Sequence, residues 1–127
     1  MFNRIHHVAI ICSDYPQSKH FYSQILGLEV LAETYRAQRD SYKLDLVLPN
    51  GEQIELFSFP NAPQRPNFPE AQGLRHLAFE VDDVKIVKRY LEGQGIDVEP
   101  IRTDDLTGKM FTFFKDPDAL PLEIYQI

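Results

Sequence analysis

The apolar and polar positions change period several times along the chain. Residues 5–12, Ile-His-His-Val-Ala-Ile-Ile-Cys, are mostly apolar and partly β-branched, and they predict a strand. Ser13 or Asp14 then caps a helix that has Pro16 in its first turn. Phe21, Tyr22, Ile25 and Leu26 share one face of that helix, and Gly27 ends it. Strands are expected near 29–36, 42–48 and 53–58, with an Asn50-Gly51 turn between the last two. Residues 59–72 carry Pro60, Pro63, Pro66 and Pro69, which excludes helix interior and central strand and leaves an extended linker. The order then recurs. A strand over 74–81 precedes a helix of about 84–93 capped by Asp82 or Asp83. Strands near 96–101, 109–115 and 121–126 follow, with Asp116-Pro117-Asp118 as the turn before the last. The expected fold is α+β, one domain of two tandem βαβββ modules (about 1–58 and 73–127) whose curled mixed sheets form a concave surface.

The recurrence is also visible in the residues. Ile5-His6-His7-Val8-Ala9-Ile10 returns as Leu74-Arg75-His76-Leu77-Ala78-Phe79, at an offset of 69. Asp14 and Asp83 each close their segment seven places after the histidine. Gly27-Leu28-Glu29-Val30 returns as Gly95-Ile96-Asp97-Val98, and Ile54-Glu55-Leu56-Phe57 as Leu122-Glu123-Ile124-Tyr125, both at 68. One deletion between the anchors accounts for the change. Each copy therefore offers one histidine near its start and one glutamate near its end, and such internal repetition governs how the rest is read.

Side chains alternate across a strand, so parity sorts these residues. His7 shares a face with Ile5, Ala9 and Ile11, while Val8, Ile10 and Cys12 lie on the face a helix can cover. His76 shares a face with Leu74, Ala78 and Glu80, while Leu77, Phe79 and Val81 lie opposite. The small Ala9 and Ala78 leave room beside the histidines. Glu55 goes with Gln53 and Phe57, and Glu123 with Pro121 and Tyr125. If both sheets curl alike, two histidines and two glutamates converge.

Composition narrows the function classes. A length of 127 residues suits one compact domain, and 43% apolar residues supply its core. The net charge of −6 argues against nucleic acid or an anionic membrane surface as partner. The single cysteine, Cys12, forms no internal disulfide, which favours a reducing, cytoplasmic location. The sequence shows neither a signal peptide nor an apolar run long enough to span a bilayer.

Two imidazoles and two carboxylates suit a divalent cation such as Ni, Zn, Co, Mn or Fe. Four protein ligands with water completing the shell leave the open position a catalytic metal needs, and no thiolate marks a closed structural zinc. A lone strand histidine or glutamate is ordinarily just a satisfied or solvated group, so the matched positions carry the reading. His6 has the wrong parity and its counterpart is Arg75, so it stays outside the set. His20 is expected on the helix surface and Cys12 in the core. Glu80 has the right parity but sits at a strand end, as a candidate to support a metal ligand from behind or to meet the substrate. Arg36, Arg39, Lys43, Arg65, Arg102 and Lys109 are candidates to meet an anionic substrate, each more simply a solvated charge.

The two histidine strands, the two apolar-Glu-apolar strands and the Phe-Lys-Asp-Pro-Asp run that leads from Phe114 to Leu122-Glu123 occur together in one family. The chain resembles the vicinal oxygen chelate superfamily, and within it the small bacterial glyoxalase I-like proteins, over nearly its whole length. His7, Glu55, His76 and Glu123 match the four metal positions of that pattern. The resemblance implies one divalent metal per site and a small substrate that chelates it through neighbouring oxygens. It implies lyase or isomerase chemistry through an enediolate-type intermediate, with Glu123 as first choice of base and Glu55 as second. It also implies a homodimer in which His7 and Glu55 of one chain meet His76 and Glu123 of the other. Ile11 and Phe59 stand where glutathione-using members carry Arg and Asn, so the thiol cofactor is left open. The alternatives are a non-catalytic small-molecule binding protein, or a dioxygenase or epimerase of the same superfamily.

Overall fold

The computed structural model describes all of Met1–Ile127, and the chain divides into two compact units, Met1–Gln64 and Arg65–Ile127. Each unit has the βαβββ order read from the sequence. Unit 1 contains β1 (His7–Cys12), α1 (Tyr15–His20), β2 (Glu29–Arg36), β3 (Ser41–Val47) and β4 (Gln53–Ser58). Unit 2 contains β5 (Leu77–Val81), α2 (Val84–Gly93), β6 (Arg102–Thr103), β7 (Met110–Lys115) and β8 (Pro121–Gln126). The sheet orders are β1-β4-β3-β2 and β5-β8-β7-β6, with the first pair parallel and the others antiparallel in each case. The α+β fold with two mixed sheets is borne out.

One face of each sheet is dry. In unit 1, Ile10, Cys12, Leu44, Leu46, Ile54 and Leu56 are buried with Phe21 and Tyr22 from the helical segment. In unit 2, Leu122, Ile124 and Phe114 are buried with Val84 and Leu91 of α2. The alternation in β1, from exposed His7, Ala9 and Ile11 to buried Ile10 and Cys12, follows the period of two. Polar contacts at the edge of the buried face tie α1 to β2. The Tyr15 hydroxyl donates to Glu33 Oε2 at 2.5 Å, and Lys19 Nζ donates to the same oxygen at 2.7 Å. Burial first, then that bond, pushes the Tyr15 phenol above its ordinary range, while Lys19 and then Tyr15 hold the Glu33 carboxyl below its own.

The caps resolve the sequence alternatives. Asp14 Oδ1 accepts from the Gln17 amide at 3.1 Å, and Asp83 Oδ1 accepts from Lys85 and Ile86 at 2.9 and 3.1 Å. The Leu48–Glu52 turn closes as expected, with Gly51 at φ +92°. The Asp116 carboxylate accepts from the amides of Asp118 and Leu120, both at 2.9 Å, and shapes the turn into β8.

Four boundaries differ from expectation, three of them for a visible reason. The first helix does not run unbroken to Leu26: Phe21–Ile25 widens to a π turn, closed by the Leu26 amide on the Phe21 carbonyl at 2.9 Å. The Ser23 hydroxyl also takes the Lys19 carbonyl, at 2.5 Å. The expected strand at 96–101 is absent, and a short β6 lies at Arg102–Thr103 instead. Pro100 has no amide to extend a ladder, and the Thr112 hydroxyl engages the carbonyls of Glu99 and Pro100 at 2.8 and 3.2 Å. β1 begins at His7 rather than residue 5, and β5 at Leu77 rather than residue 74. Arg65 Nη2 donates to the Leu74 and Arg75 carbonyls at 3.1 and 2.9 Å, which withdraws them from the sheet. Arg65, expected as a solvated charge, is thus a brace that folds the second half of the proline-rich stretch onto unit 2. Asn67 adds to it by donating to the Ala119 carbonyl at 2.7 Å.

Candidate metal centre

The solvent-side face of unit 1 is built from β1, β4, β3 and β2. The register pairs Ala9 with Glu55, Asp45 with Glu55, and Lys43 with Phe57. His7 precedes Ala9 by two on the same face, and its Nε2 lies 3.6 Å from Glu55 Oε2. The Glu55 side chain is only 15% exposed. Lys43 Nζ lies 3.1 Å from Asp45 Oδ1 and 3.8 Å from Glu55 Oε2. His6, which parity set aside, touches the site from behind: its Nδ1 lies 2.9 Å from His7 Nδ1. That contact leaves the His7 Nε2 edge turned to Glu55.

Unit 2 repeats the skeleton with different flanks. Ala78 pairs with Glu123, Phe113 with Glu123, and Phe111 with Tyr125. His76 stands one residue before β5, and its Nε2 lies 2.9 Å from Glu123 Oε2. Glu123 is 9% exposed as a residue, among the most buried acidic groups of the chain. The edge of Phe113 packs on His76 at a centroid distance of 5.0 Å. Arg102 lies over Phe111 and Phe113, at 5.2 and 5.3 Å. The Tyr125 hydroxyl donates to Asp104 Oδ2 at 3.0 Å and contacts the Thr107 hydroxyl. The Leu106 amide, and after it Tyr125, hold the Asp104 carboxyl below its usual range.

The structure thus brings the four sequence-predicted residues into two His/Glu pairs, one per unit. No group of three or more His, Cys, Asp or Glu side chains is gathered into a complete cage. The donor set fits a divalent cation. Two imidazole nitrogens face carboxylates that are mostly withdrawn from water, and these are the nitrogen and oxygen donors a divalent cation takes. Glu80 lies on the His76 face, exposed, and makes no ion pair. Cys12 is buried core at 1% exposure, as expected.

Sequence reasoning missed His6, Asp45 and Phe113 as neighbours of the pairs. Asp45 and Phe113 were within reach of it, because counting back from each turn puts them opposite Glu55 and Glu123. The His6 contact depends on ring orientation and has no sequence signal.

The model of the Glyoxalase/Bleomycin resistance protein/Dioxygenase superfamily matches residues 4–124. The chain belongs to this superfamily. It is 59% identical over 126 residues to YwkD of Bacillus subtilis (strain 168), covering 99% of this chain and 98% of that protein. The crystal structure of a glyoxalase family protein from Enterococcus faecalis superposes with a TM-score of 0.92 at 50% identity, covering 98% of each chain. A more distant relative, 28% identical over 97% of this chain and 79% of its own length, is the 2-epi-5-epi-valiolone epimerase of an Actinomyces species. Both His/Glu pairs fall inside the matched span. No helix is long and apolar enough to cross a membrane.

Proposed function

We propose that this member of the superfamily is a divalent-metal-dependent, glyoxalase I-like lyase or isomerase. Its ligands are His7, Glu55, His76 and Glu123, and its substrate is a small molecule with two neighbouring oxygens. The observation that carries the reading is the matched occurrence of two His Nε2/Glu Oε2 pairs, at 3.6 and 2.9 Å, on the solvent-side faces of two repeated units. Family membership and the likeness to a glyoxalase family protein support it.

A bound divalent cation supplies Lewis acidity toward the two substrate oxygens. The rest is the work of the chain. Glu123 is the first-choice acceptor for a proton on the carbon beside the carbonyl, and its low exposure limits competition from water. Phe113 and the adjoining Ala78 keep that side apolar and open. Glu55 is the second acceptor. A positioned base contributes ~10²–10⁴-fold to such a step. Return of the proton to the neighbouring atom gives an isomer, and return to the opposite face of the same carbon gives an epimer. The similarity to an epimerase makes that outcome the second reading.

Metal content of the purified parent and of the Glu55→Gln, His76→Ala double variant, by elemental analysis, tests the proposal. One ion per chain in the parent, lost in the variant, is expected. A parent that stays metal-free after incubation with Ni, Co, Zn and Mn overturns it and leaves a small-molecule binding protein. The proposed assembly, a homodimer in which each site takes one pair from each chain, has its own test. Mixing His7→Ala and His76→Ala chains then restores one intact site in each mixed dimer, whereas sites made within one chain are not restored.

A further inference from the structure

We infer that Arg36 and Arg39 form an anion-binding subsite on unit 1 that reads a carboxylate or phosphate group of the substrate. The inference rests on the active-site reading above, because it assigns the substrate's second anchoring point. Arg36 ends β2 and pairs in register with Ser41, which stands two residues before Lys43 on the same side of β3, and Lys43 pairs with Phe57. It therefore lies on the face that holds His7 and Glu55. Its guanidinium carbon stands 4.8 Å from the centre of the Phe57 ring and 5.6 Å from that of Phe59. Arg39 lies 4.7 Å from the Phe59 ring, and the two rings are nearly parallel, 5.9 Å apart.

Neither arginine has a carboxylate partner, although this chain is acidic. Glu33 is taken by Lys19, Asp45 by Lys43, and Asp40 by the Tyr35 hydroxyl. The one hydrogen bond from the Arg36 guanidinium is from Nη2 to the Ser41 hydroxyl at 3.1 Å. Its Nε–H is buried and has no acceptor at all. A buried, charged donor left without a partner is uncommon in native folds, and ligand sites are one of the places where it occurs. The guanidinium rests against the Phe57 and Phe59 rings, which reduces the freedom it loses when a ligand arrives. The Nε–H is closed to solvent as it stands, so an incoming anion meets the Nη edge of the fork, whose N–H groups match carboxylate and phosphate oxygens. Phe59 also stands where glutathione-using relatives are expected to carry a polar residue, so charge on this face is supplied from β2 instead.

The test is a titration of the full-length protein with inorganic phosphate and, separately, with succinate, at constant ionic strength set by chloride. The readout is the ¹⁵N–¹H signal of the arginine Nε groups. A saturable shift of the Arg36 signal is expected. Arg36→Met, which keeps the stem on Phe57 and removes the fork, is expected to weaken binding by ~10–100-fold, as loss of a charge-assisted pair does. Arg36→Lys is expected to recover part of it. Stronger binding of succinate than phosphate assigns a carboxylate substrate, and the reverse order assigns a phosphorylated one. Absence of a saturable Arg36 shift with both anions in the parent overturns the inference, whatever the variants do. Metal uptake measured on the same parent protein separates the two readings. Anion binding by a parent that takes up no metal shows the subsite standing while the metal assignment fails, and metal binding without anion binding shows the converse.

Discussion

Replacing Glu123 by Gln separates a carboxylate that cements the fold from one kept for a cation. The residue is 9% exposed, and its oxygen lies 2.9 Å from His76 Nε2. Glutamine retains the shape and one acceptor. The contact to a charged acceptor, ~1.5–3 kcal/mol, falls to the neutral value of ~0.5–1.5 kcal/mol, a loss of about 1 kcal/mol. Against that, removing a charge from a site largely closed to water relieves a desolvation cost of the same order or greater. Without metal, Glu123→Gln is therefore expected to lie within about 1 kcal/mol of the parent, and stabilisation is an allowed sign. With metal the balance inverts. A cation at 100 times its Kd stabilises by ~2.7 kcal/mol. For a chain of this size that is roughly a 10 °C rise in Tm. Thermal melts in EDTA and in excess Ni, Co, Mn or Zn read both quantities. The parent is expected to gain that rise and the variant to lose most of it. An equal metal-dependent rise in the two proteins refutes the assignment of Glu123 as a ligand. So does a metal-free destabilisation beyond about 3 kcal/mol, which makes the carboxylate a structural group.

Three other perturbations probe the fold and the asymmetry of the two pairs. Leu56→Ala, at a side chain with 0% exposure, is expected to lower the stability of the chain by ~2–5 kcal/mol, read from the urea midpoint. Glu33→Gln tests the strap on α1. Because the Glu33 carboxyl is held below its ordinary value by Lys19 and then Tyr15, its contribution is present above the usual glutamate range and lost as pH falls through the folded value. The parent-minus-variant difference in Tm should therefore shrink on acidification below pH ~4, and a difference that grows there contradicts the sign. Phe113→Asp places a second carboxylate opposite Glu123, as Asp45 stands opposite Glu55, with Arg102 in place of a lysine near it and only partly offsetting the repulsion. It is expected to destabilise the metal-free protein by ~1–2 kcal/mol through like-charge repulsion and the lost ring contact with His76. Adding Phe111→Lys should return part of that loss, and a strictly additive double variant argues against the charge explanation.

The repeat made much of this legible. A period of two, a turn and a capping aspartate are local, so β1, β3, β4, both caps and the Leu48–Glu52 turn could be read from neighbouring residues. His7, Glu55, His76 and Glu123 stood out because each recurs at one place in the unit. What failed was decided by partners distant in sequence. The strand expected at 96–101 has the right composition, but Pro100 and the Thr112 hydroxyl use its backbone differently. β5 starts late because Arg65, nine and ten residues upstream, takes the carbonyls of Leu74 and Arg75. Neither tie leaves a mark in periodicity. Arg65 and Arg36 were both read as surface charges for the same reason. The identity of a guanidinium's acceptors, or their absence, is a property of the folded chain.

Duplication preserved the backbone frame of the two sites and released their linings. The positions opposite the glutamates are Asp45 in one unit and Phe113 in the other, and the next pair along is Lys43 with Phe57 against Phe111 with Tyr125. Unit 1 thus sets Lys43 and Asp45 beside its His/Glu pair, with Arg36 against Phe57 and Phe59 on the same face, while unit 2 sets Phe113 beside its pair, with Arg102 over Phe111 and Phe113. The residues directly beside the pairs therefore differ, Lys43 with Asp45 in one unit and Phe113 in the other, around the same His and Glu. Under the proposed function, a charged lining recognises an anionic end of a substrate and an aromatic lining accommodates an apolar end. Substrates with that polarity, two adjacent oxygens between an oxyanion and a hydrocarbon or aromatic group, therefore come before symmetric ones in any activity screen.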